Sequence, residues 1–325
     1  MNRRGIRGVV ATLATLVVSL TIVAGGVDAA AKRPAPSPSP TNEPSPTSPP
    51  PAQPVYVALG DSYAAGVGGG SYIQDGTDCY RTLKGYPGLI AQEKGYALDL
   101  QACSGADIDD VTAEQLETDY LAVADYVSIT VGGNDVGFAS VLTTCIGTNE
   151  SACITAVDDA VDAANALPSR LVLLFTQIRE AAPDATVVAT AYPRLLSATK
   201  ADCSWITTVS VRERDALNSG AATLAGVISK AADDAGIGYA DVLPDFLGHG
   251  VCDSSAWIYN ASLFPTYLSY HPTATGYLSG YKPAVATALG TSTAPTGTAI
   301  TLTLGGETSS DTNRGTVKIP KSQKD

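Results

Sequence analysis

Short apolar runs rich in β-branched residues recur along the middle of the chain, and each has the length of a buried strand. The runs occupy residues 55–59, 98–102, 126–131, 186–191 and 238–242. Longer Ala-rich segments with a helical period predict helices over residues 154–182, with a break at Pro168, and over 205–235 and 273–288. Strands that alternate with helices favour right-handed crossovers, so the pattern predicts an α/β domain with a mostly parallel sheet covered on both faces.

The composition supports a folded domain and excludes some partners. The chain has 325 residues, 45% of them hydrophobic, and carries 20 basic and 32 acidic side chains for a net charge of −12. The central stretch is long enough for one large domain or at most two. A strongly acidic chain repels phosphate backbones and anionic membrane surfaces, so nucleic acid is not an expected partner.

The first 29 residues have the pattern of a secretory signal peptide. Three arginines, Arg3, Arg4 and Arg7, precede an apolar run over 8–24, and small residues surround a cleavage site at Ala29. The alternative is a retained membrane anchor, because the run approaches the length that spans a bilayer. Either way, this segment is not part of the fold.

Two polar segments flank the central domain, which we expect over residues 55–290. Residues 30–54 are dominated by Pro, Ser and Thr and form an extended linker, either a tether near the cell wall or a passive spacer. The Thr-rich tail over 291–325 is expected to be loosely ordered, although its alternating stretch at 298–304 could pair as a strand.

All six cysteines lie inside the central domain, and none has the paired spacing of a zinc site. An even number of cysteines in an exported chain indicates disulfides, of which 15 pairings are possible. We expect each cysteine to pair with the next one along the chain, because each disulfide then closes one loop between core elements. The expected bonds are Cys79–Cys103, Cys145–Cys153 and Cys203–Cys252.

Candidate catalytic residues follow the first three strand runs. Ligands bind at the carboxyl ends of parallel strands, so residues just after each strand are the first to consider. Ser62, within Gly-Asp-Ser-Tyr after the first run, could be an exposed nucleophile or only a turn residue. Gly105 after the second run and Asn134 after the third carry neutral donors that could stabilise an oxyanion, or simply form turns.

The chain has only two histidines, and one of them is the natural source of a base for Ser62. His271 lies immediately before the last predicted helix, where Thr273 could serve as the N-cap. His249 lies in a loop close to Cys252 and is interpreted as structural or pocket-lining. The residues alone do not settle which of the two histidines is the base.

Taken together, Gly-Asp-Ser-Tyr, Gly105, Gly-Gly-Asn-Asp and His-Pro-Thr-Ala-Thr-Gly-Tyr, in that order, resemble the SGNH/GDSL hydrolase family. The chain looks most similar to secreted actinobacterial lipases and esterases of that family. The resemblance implies a flavodoxin-like parallel sheet, Ser62 as nucleophile and His271 as base. It also implies an oxyanion hole made of the Ser62 and Gly105 backbone N–H groups and the Asn134 side chain.

One position departs from the family pattern. The family usually has Asp three residues before its histidine, and here that residue is Leu268. We expect the Leu268 main-chain carbonyl to orient the imidazole, with Asp253 as the alternative partner. Asp61 and Asp135 are interpreted as turn or loop-fixing residues, because nothing in the mechanism needs their carboxylates. Tyr63 and Trp257 could line an acyl pocket but are more often core residues.

The resulting hypothesis is a secreted, monomeric carboxylic-ester hydrolase that forms an acyl-enzyme and needs no metal or cofactor. Its substrate would be a small-molecule or lipid ester. A carbohydrate acetyl esterase and a phospholipase or thioesterase remain open alternatives within the same fold. Outside the enzyme class, the alternative is a surface-binding module without chemistry.

Overall fold

The computed structural model describes residues 53–147, 149–200, 203–204, 208–262, 264–290, 300–305 and 317–319. The expected signal peptide and all but the last two residues of the expected linker lie outside this set. Within the part of the chain that is described, none of the helices is both long enough and apolar enough to cross a membrane.

The five predicted strands are all present, each within two residues of its expected bounds. The strands are β1 Val55–Gly60, β2 Ala97–Leu100, β3 Tyr126–Thr130, β4 Thr186–Thr190, β5 Cys203–Ser204, β6 Thr208–Val209, β7 Gly238–Ala240, β8 Ile300–Leu304 and β9 Val317–Ile319. The short β5 and β6 form a separate antiparallel pair. The predicted runs correspond to β1, β2, β3, β4 and β7.

The main sheet has the strand order β7-β4-β3-β1-β2-β8-β9. Every neighbouring pair from β7 to β8 is parallel, and only β9 runs antiparallel to its neighbour. The five predicted strands therefore follow the order 2-1-3-4-5 of flavodoxin-like sheets, which confirms the expected fold class. This order places β1 between β2 and β3 and brings their carboxyl ends together.

Helices cover the sheet. They are α1 Ser62–Ala65, α2 Tyr86–Lys94, α3 Ile108–Asp110, α4 Phe138–Cys145, α5 Glu150–Ala166, α6 Pro168–Ala181, α7 Val211–Ala235 and α8 Lys282–Ala288. The predicted segments 154–182, 205–235 and 273–288 correspond to α5 with α6, α7 and α8, whereas the four helices before α5 were not predicted. The break at Pro168 is confirmed, because this proline begins α6, where its missing N–H is tolerated. α5, α6 and α7 pack on one another, and α2 packs on α8.

The start of α7 shows why its sequence forms a helix at this point. Ser210 accepts a hydrogen bond from the Glu213 backbone N–H, and the Glu213 carboxylate accepts one from the Ser210 backbone N–H. This reciprocal capping satisfies two donors that would otherwise be unpaired. The helix therefore begins at Val211, whereas the apolar pattern predicted a start at residue 205.

The tail contributes more to the sheet than expected. Ile300–Leu304, the alternating stretch, forms β8 and pairs in parallel with β2. Leu302 is buried, so the strand covers both the open edge of β2 and apolar surface beneath it. The sheet consequently continues past residue 290, the expected end of the domain.

Two of the three expected disulfides are present among the described residues. Cys79 bonds Cys103, and Cys145 bonds Cys153. The first bond joins the segment before α2 to the loop after β2, and the second joins α4 to α5. Cys252 also takes part in a disulfide, but the side chain of Cys203 lies outside what the structure describes.

Candidate active site

Ser62 lies on a tight turn at the end of the central strand. The turn requires Gly60, because its φ is +117° and a side chain there would collide with the Thr130 carbonyl on β3. Asp61 then caps the one-turn helix α1 by accepting a hydrogen bond from the Tyr63 backbone N–H at 2.9 Å. Ser62 is the first residue of α1, at the carboxyl edge of the sheet.

Hydrogen bonds hold the loops of the two expected oxyanion donors next to this turn. The Cys103 backbone N–H donates to the Gly60 carbonyl at 2.9 Å, which fixes the loop that carries Gly105. Asn134 donates from Nδ2 to the Ala106 carbonyl at 2.8 Å, which joins the loop after β3 to the loop after β2. A side-chain amide has two N–H groups, so this bond leaves Asn134 one donor for a substrate.

His271 reaches Ser62 from the loop before the last helical segment. Its Nε2 lies 2.7 Å from Ser62 Oγ, which is hydrogen-bonding distance. The backbone around His271 is paired with a neighbouring segment, through Tyr259 N–H to the His271 carbonyl at 2.9 Å and Thr273 N–H to the Trp257 carbonyl at 2.7 Å. The structure thus brings together the expected nucleophile and base, which are 209 residues apart in sequence.

Tyr63 and Tyr270 give the histidine loop its unusual conformation. Tyr270 has a φ of +60°, which is costly for a residue with a side chain. Its carbonyl accepts a 2.7 Å hydrogen bond from the buried Tyr63 hydroxyl, which helps hold it there. Tyr63 is therefore a core residue, the second of the two expectations for it, and its hydroxyl also helps to position the loop.

The expected orienting bond from Leu268 to the imidazole is not made. The Leu268 carbonyl accepts a hydrogen bond from the His271 backbone N–H at 3.1 Å, and His271 Nδ1 is buried with no hydrogen-bond partner. The alternative Asp253 is engaged elsewhere, because it accepts from Ser197 Oγ at 2.6 Å and from the Gly250 backbone N–H at 3.0 Å. Among the described residues, no carboxylate forms a hydrogen bond with His271 Nδ1.

Burial lowers the pKa of His271 from 6.5 to about 4, because the charged imidazolium loses its hydration. Backbone groups of Ser269 and Tyr267 act in the opposite direction without forming a hydrogen bond to Nδ1. Their effect on the pKa is smaller than that of burial. The imidazole is therefore neutral, and able to accept a proton, over most of the pH range.

This shift predicts an unusual acid limb in the pH profile. A base with its pKa near 4 is lost by protonation only as the pH falls through that value, so kcat/KM should stay flat from neutral pH to about 5. The measurement is kcat/KM for a dissolved ester between pH 3 and 8. The same profile of the Asp61→Asn variant identifies any acid limb near pH 7 that comes from protonation of Asp61. An acid limb centred near 6.5 that persists in Asp61→Asn would contradict the prediction.

Buried hydrogen bonds through Tyr192 link the turn that carries Ser62 to the loop after β3, which carries Asn134. The Tyr192 hydroxyl donates to Asp61 Oδ2 at 2.5 Å and accepts from the Gly133 backbone N–H at 2.8 Å. Burial raises the pKa of Asp61 to about 7, although the Tyr192 hydroxyl and backbone N–H groups oppose it. Sequence reasoning missed Tyr192, yet it follows β4 directly, so the rule about strand ends could have found it.

Asp135 fixes the neighbouring loop, as expected, through partners that the sequence did not reveal. Its carboxylate pairs with Arg170 on α6 at 2.8 Å and accepts from the Ile108 backbone N–H at 3.2 Å. Burial raises the pKa of Asp135, and the Arg170 guanidinium opposes this. The same guanidinium pairs with Asp109 at 2.8 Å, so Arg170 joins the loops after β2 and β3.

His249 makes contacts typical of a structural residue. Its ring stacks on Trp257 with centroids 3.5 Å apart, and its Nδ1 lies 2.7 Å from the Ser255 carbonyl. Trp257 also contacts Phe246 edge to face, so it packs within this loop. The two residues stabilise the loop that leads to His271.

An apolar pocket lies beside the loop after β3, which carries Asn134. Val136, two residues after Asn134, contributes to its lining, and so does Tyr192, whose hydroxyl contacts Asp61 and Gly133. Helices α4, α5 and α7 complete the wall with Phe138, Val141, Val157, Ala160, Val161, Ala164, Leu217, Gly220, Ala221 and Leu224, and Leu195 follows β4. The lining carries no charged side chain and is suited to a hydrocarbon.

Comparisons with known proteins agree on one family. The model of the GDSL-like lipase/acylhydrolase family matches residues 58–278. The chain is 42% identical over 230 residues to a lipase of Streptomyces rimosus, covering 70% of this chain and 84% of that protein. It is 39% identical over 238 residues to lipase 1 of Streptomyces coelicolor, covering 72% and 86%.

Solved structures give the same result. The crystal structure of the extracellular lipase of Streptomyces rimosus superposes with a TM-score of 0.68 at 40% identity, covering 72% of this chain and 99% of that one. Phospholipase A1 of Streptomyces albidoflavus NA297 superposes with a TM-score of 0.69 at 40% identity, covering 73% and 100%.

Proposed function

This chain belongs to the GDSL-like lipase/acylhydrolase family and is an ester hydrolase, and we propose that Ser62 and His271 perform the hydrolysis through an acyl-enzyme. The observation that carries the proposal is the 2.7 Å contact between Ser62 Oγ and His271 Nε2. A serine hydroxyl is a weak nucleophile until a neighbouring base accepts its proton. The non-catalytic binding module has no support in this family.

The reaction follows from the positions of these groups. His271 Nε2 accepts the Ser62 proton as Oγ attacks the acyl carbonyl, and the negative charge develops on the carbonyl oxygen. The Ser62 and Gly105 backbone N–H groups and Asn134 Nδ2 donate hydrogen bonds to that oxygen. Protonated His271 then gives its proton to the leaving alcohol. Water attacks the acyl-enzyme with His271 accepting its proton, and His271 returns that proton to Ser62 Oγ as the acid is released.

The imidazole needs its Nδ1 proton held so that the Nε2 lone pair faces Ser62. No carboxylate performs this role among the described residues, and the backbone groups of Ser269 and Tyr267 are those whose polar contact raises the pKa of the imidazole. We therefore place the orienting group among the carbonyls of residues 267–269, with Ser269 favoured over Leu268. The Leu268 carbonyl already accepts the His271 backbone N–H.

The apolar pocket supports acyl chains longer than acetyl. Its lining begins at Val136, two residues after the proposed oxyanion donor Asn134, although neither Ser62 nor His271 lines it, and we propose that the chain of a bound ester enters it from this side. Relatives at about 40% identity are named as lipases and as a phospholipase A1. Lipid esters are therefore the preferred substrate class, ahead of acetylated carbohydrate.

The deciding experiment is hydrolysis of p-nitrophenyl esters from C2 to C16 and of acetylated xylan, with and without a serine-directed phosphonate. A lipid esterase should prefer medium or long chains, lose activity to the phosphonate and leave acetylated xylan intact. Turnover of acetate esters and xylan alone would instead establish the acetyl esterase. Turnover that survives the phosphonate would overturn the acyl-enzyme mechanism.

Filling the pocket should shorten the preferred chain. Ala221→Phe adds a ring to the pocket wall on α7, and we expect it to lower kcat/KM for C8 relative to C2 by about tenfold or more, the value of two displaced methylenes. Ser219→Phe adds the same ring to an exposed position on the same helix and should leave the ratio unchanged. Equal C8/C2 ratios in the two variants would show that the acyl chain lies elsewhere.

Secretion agrees with the signal-like leader, the disulfides and the extracellular lipase among the relatives. Retention near the cell wall through residues 30–54 is a further proposal that rests on the linker alone. Comparing enzyme released to the medium by the full chain and by a chain without residues 32–52 tests it. Equal release would contradict retention.

A further inference from the structure

Two sequence segments beside the catalytic pair carry no Asp, Glu, Lys or Arg. They are residues 62–74, which begin with Ser62, and residues 254–281, which include His271. We call them together the uncharged rim. Elsewhere the chain is rich in acidic groups, with a net charge of −12 overall. The two segments that carry Ser62 and His271 thus present no charged side chain to an arriving substrate, whereas the Arg170–Asp109 pair lies on the other side of the site, at the segments after β2 and β3.

Of the large apolar side chains that the structure describes, the most exposed belongs to this rim. Phe264 is 92% exposed, in a loop that ends two residues before His271. The loop is closed at its base by Ser269, whose hydroxyl accepts from the Ser262 backbone N–H at 2.9 Å and donates to the Ser262 carbonyl at 3.3 Å. Phe264 therefore projects from a closed loop that is attached directly to the active site.

Three tyrosines connect this loop to the nucleophile segment. The Tyr267 ring stacks on Tyr80 with centroids 4.3 Å apart, and Tyr72 contacts both rings edge to face. The Tyr72 hydroxyl accepts a hydrogen bond from the Gly68 backbone N–H at 3.0 Å. The loop is thus held against the segment that follows Ser62, so Phe264 has a fixed base.

We propose that the uncharged rim docks on a neutral or zwitterionic lipid–water interface, with Phe264 inserted among the acyl chains. The inference rests on the proposed lipid-ester function. A phenyl ring exposed to water is favourably transferred to hydrocarbon, and tyrosines with an apolar ring and a polar hydroxyl suit the interface itself. A rim without charges loses little hydration on docking, and the acidic remainder of the chain disfavours anionic lipid.

The test measures binding without turnover. Protein secreted into the medium in a Ser62→Ala background is sedimented with sucrose-loaded phosphatidylcholine vesicles, as is the same protein with Phe264→Ser, Phe264→Trp or Val123→Ser. Val123 is 62% exposed but precedes β3, so it lies at the opposite edge of the sheet from Ser62. We expect Phe264→Ser to weaken partition by about ten- to hundredfold, while Phe264→Trp and Val123→Ser stay within about threefold of the parent.

A kinetic comparison completes the test in the active enzyme. Phe264→Ser should lose at least about fivefold more activity on phosphatidylcholine vesicles than on a dissolved p-nitrophenyl ester, because only the former requires docking. Equal losses on both substrates would overturn the inference. So would vesicle partition that Phe264→Ser leaves intact, or binding that requires phosphatidylglycerol and disappears with added salt.

The outcomes separate this inference from the proposed function. Wild-type enzyme that hydrolyses dissolved esters but does not sediment with phosphatidylcholine would overturn the docking surface alone. Wild-type enzyme that hydrolyses no ester, dissolved or dispersed, would overturn the proposed function instead.

Discussion

Ser62→Ala is expected to lower kcat on every ester by about 10⁴-fold or more. The hydroxyl is the group that forms the acyl-enzyme, and the remaining oxyanion donors cannot replace a missing nucleophile. Among the described residues, the Ser62 hydroxyl forms a hydrogen bond only with His271, so the variant should keep its fold. The measurement is kcat on p-nitrophenyl butyrate, together with thermal unfolding of both proteins.

A neighbouring serine provides the control. Ser104 lies in the loop after β2, next to Gly105, and its hydroxyl has no role in the proposed mechanism. Ser104→Ala should stay within a few-fold of wild type, and a fluorophosphonate should label wild type and Ser104→Ala on the peptide that contains Ser62. Activity retained by Ser62→Ala within a factor of ten, with label on another residue, would remove Ser62 from the mechanism.

Asn134→Ala is expected to lower kcat by about 10²- to 10³-fold, the cost of one oxyanion donor. The Nδ2 group that is not bonded to Ala106 is the donor assigned to the developing negative charge. Because this charge exists only in the transition state, the loss should appear in kcat with little change in KM. Steady-state kinetics on a dissolved ester measure both constants.

Loss of the bond between Asn134 and the Ala106 carbonyl is a separate effect that the controls must isolate. One neutral hydrogen bond contributes about 1 kcal/mol to stability, so thermal unfolding should change only modestly. Asn134→Asp keeps the shape of the side chain but has no N–H to donate, and it should be at least as inactive as Asn134→Ala. A kcat loss below tenfold in both variants would argue against an oxyanion role.

The candidate site was accessible from the sequence because its chemistry follows local rules. Ser62, Gly105 and Asn134 each come three residues after the end of a strand run that the apolar pattern predicted, and parallel strands bring their carboxyl ends to one edge. The chain has only two histidines, and the resemblance of the segment around His271 to the family pattern selected this one as the base. A scarce residue type with one suitable chemical use leaves few alternatives.

The orientation of the His271 imidazole could not be predicted from the local sequence. The spacing before His271 put Leu268 at the position of the missing acid, but that carbonyl faces the His271 backbone N–H instead of Nδ1. The turn is shaped by the left-handed Tyr270 and by the Tyr63 hydroxyl, which comes from the other end of the domain. A contact across 207 residues is set by packing and has no trace in the local sequence.

The sequence by itself determined the five predicted strands, the long helical segments after β3 and β4 and the positions of the catalytic candidates, and it favoured the pairing of Cys79 with Cys103 and Cys145 with Cys153 among 15 possible pairings. These features depend on apolar periodicity, strand ends and short sequence separations. Only the tertiary structure decided that Tyr192 links Asp61 to Gly133, that Arg170 holds Asp135 and that the tail adds β8 to the sheet. Buried hydroxyls, ion pairs and edge strands find their partners through the folded packing of distant segments, so no local pattern identifies them.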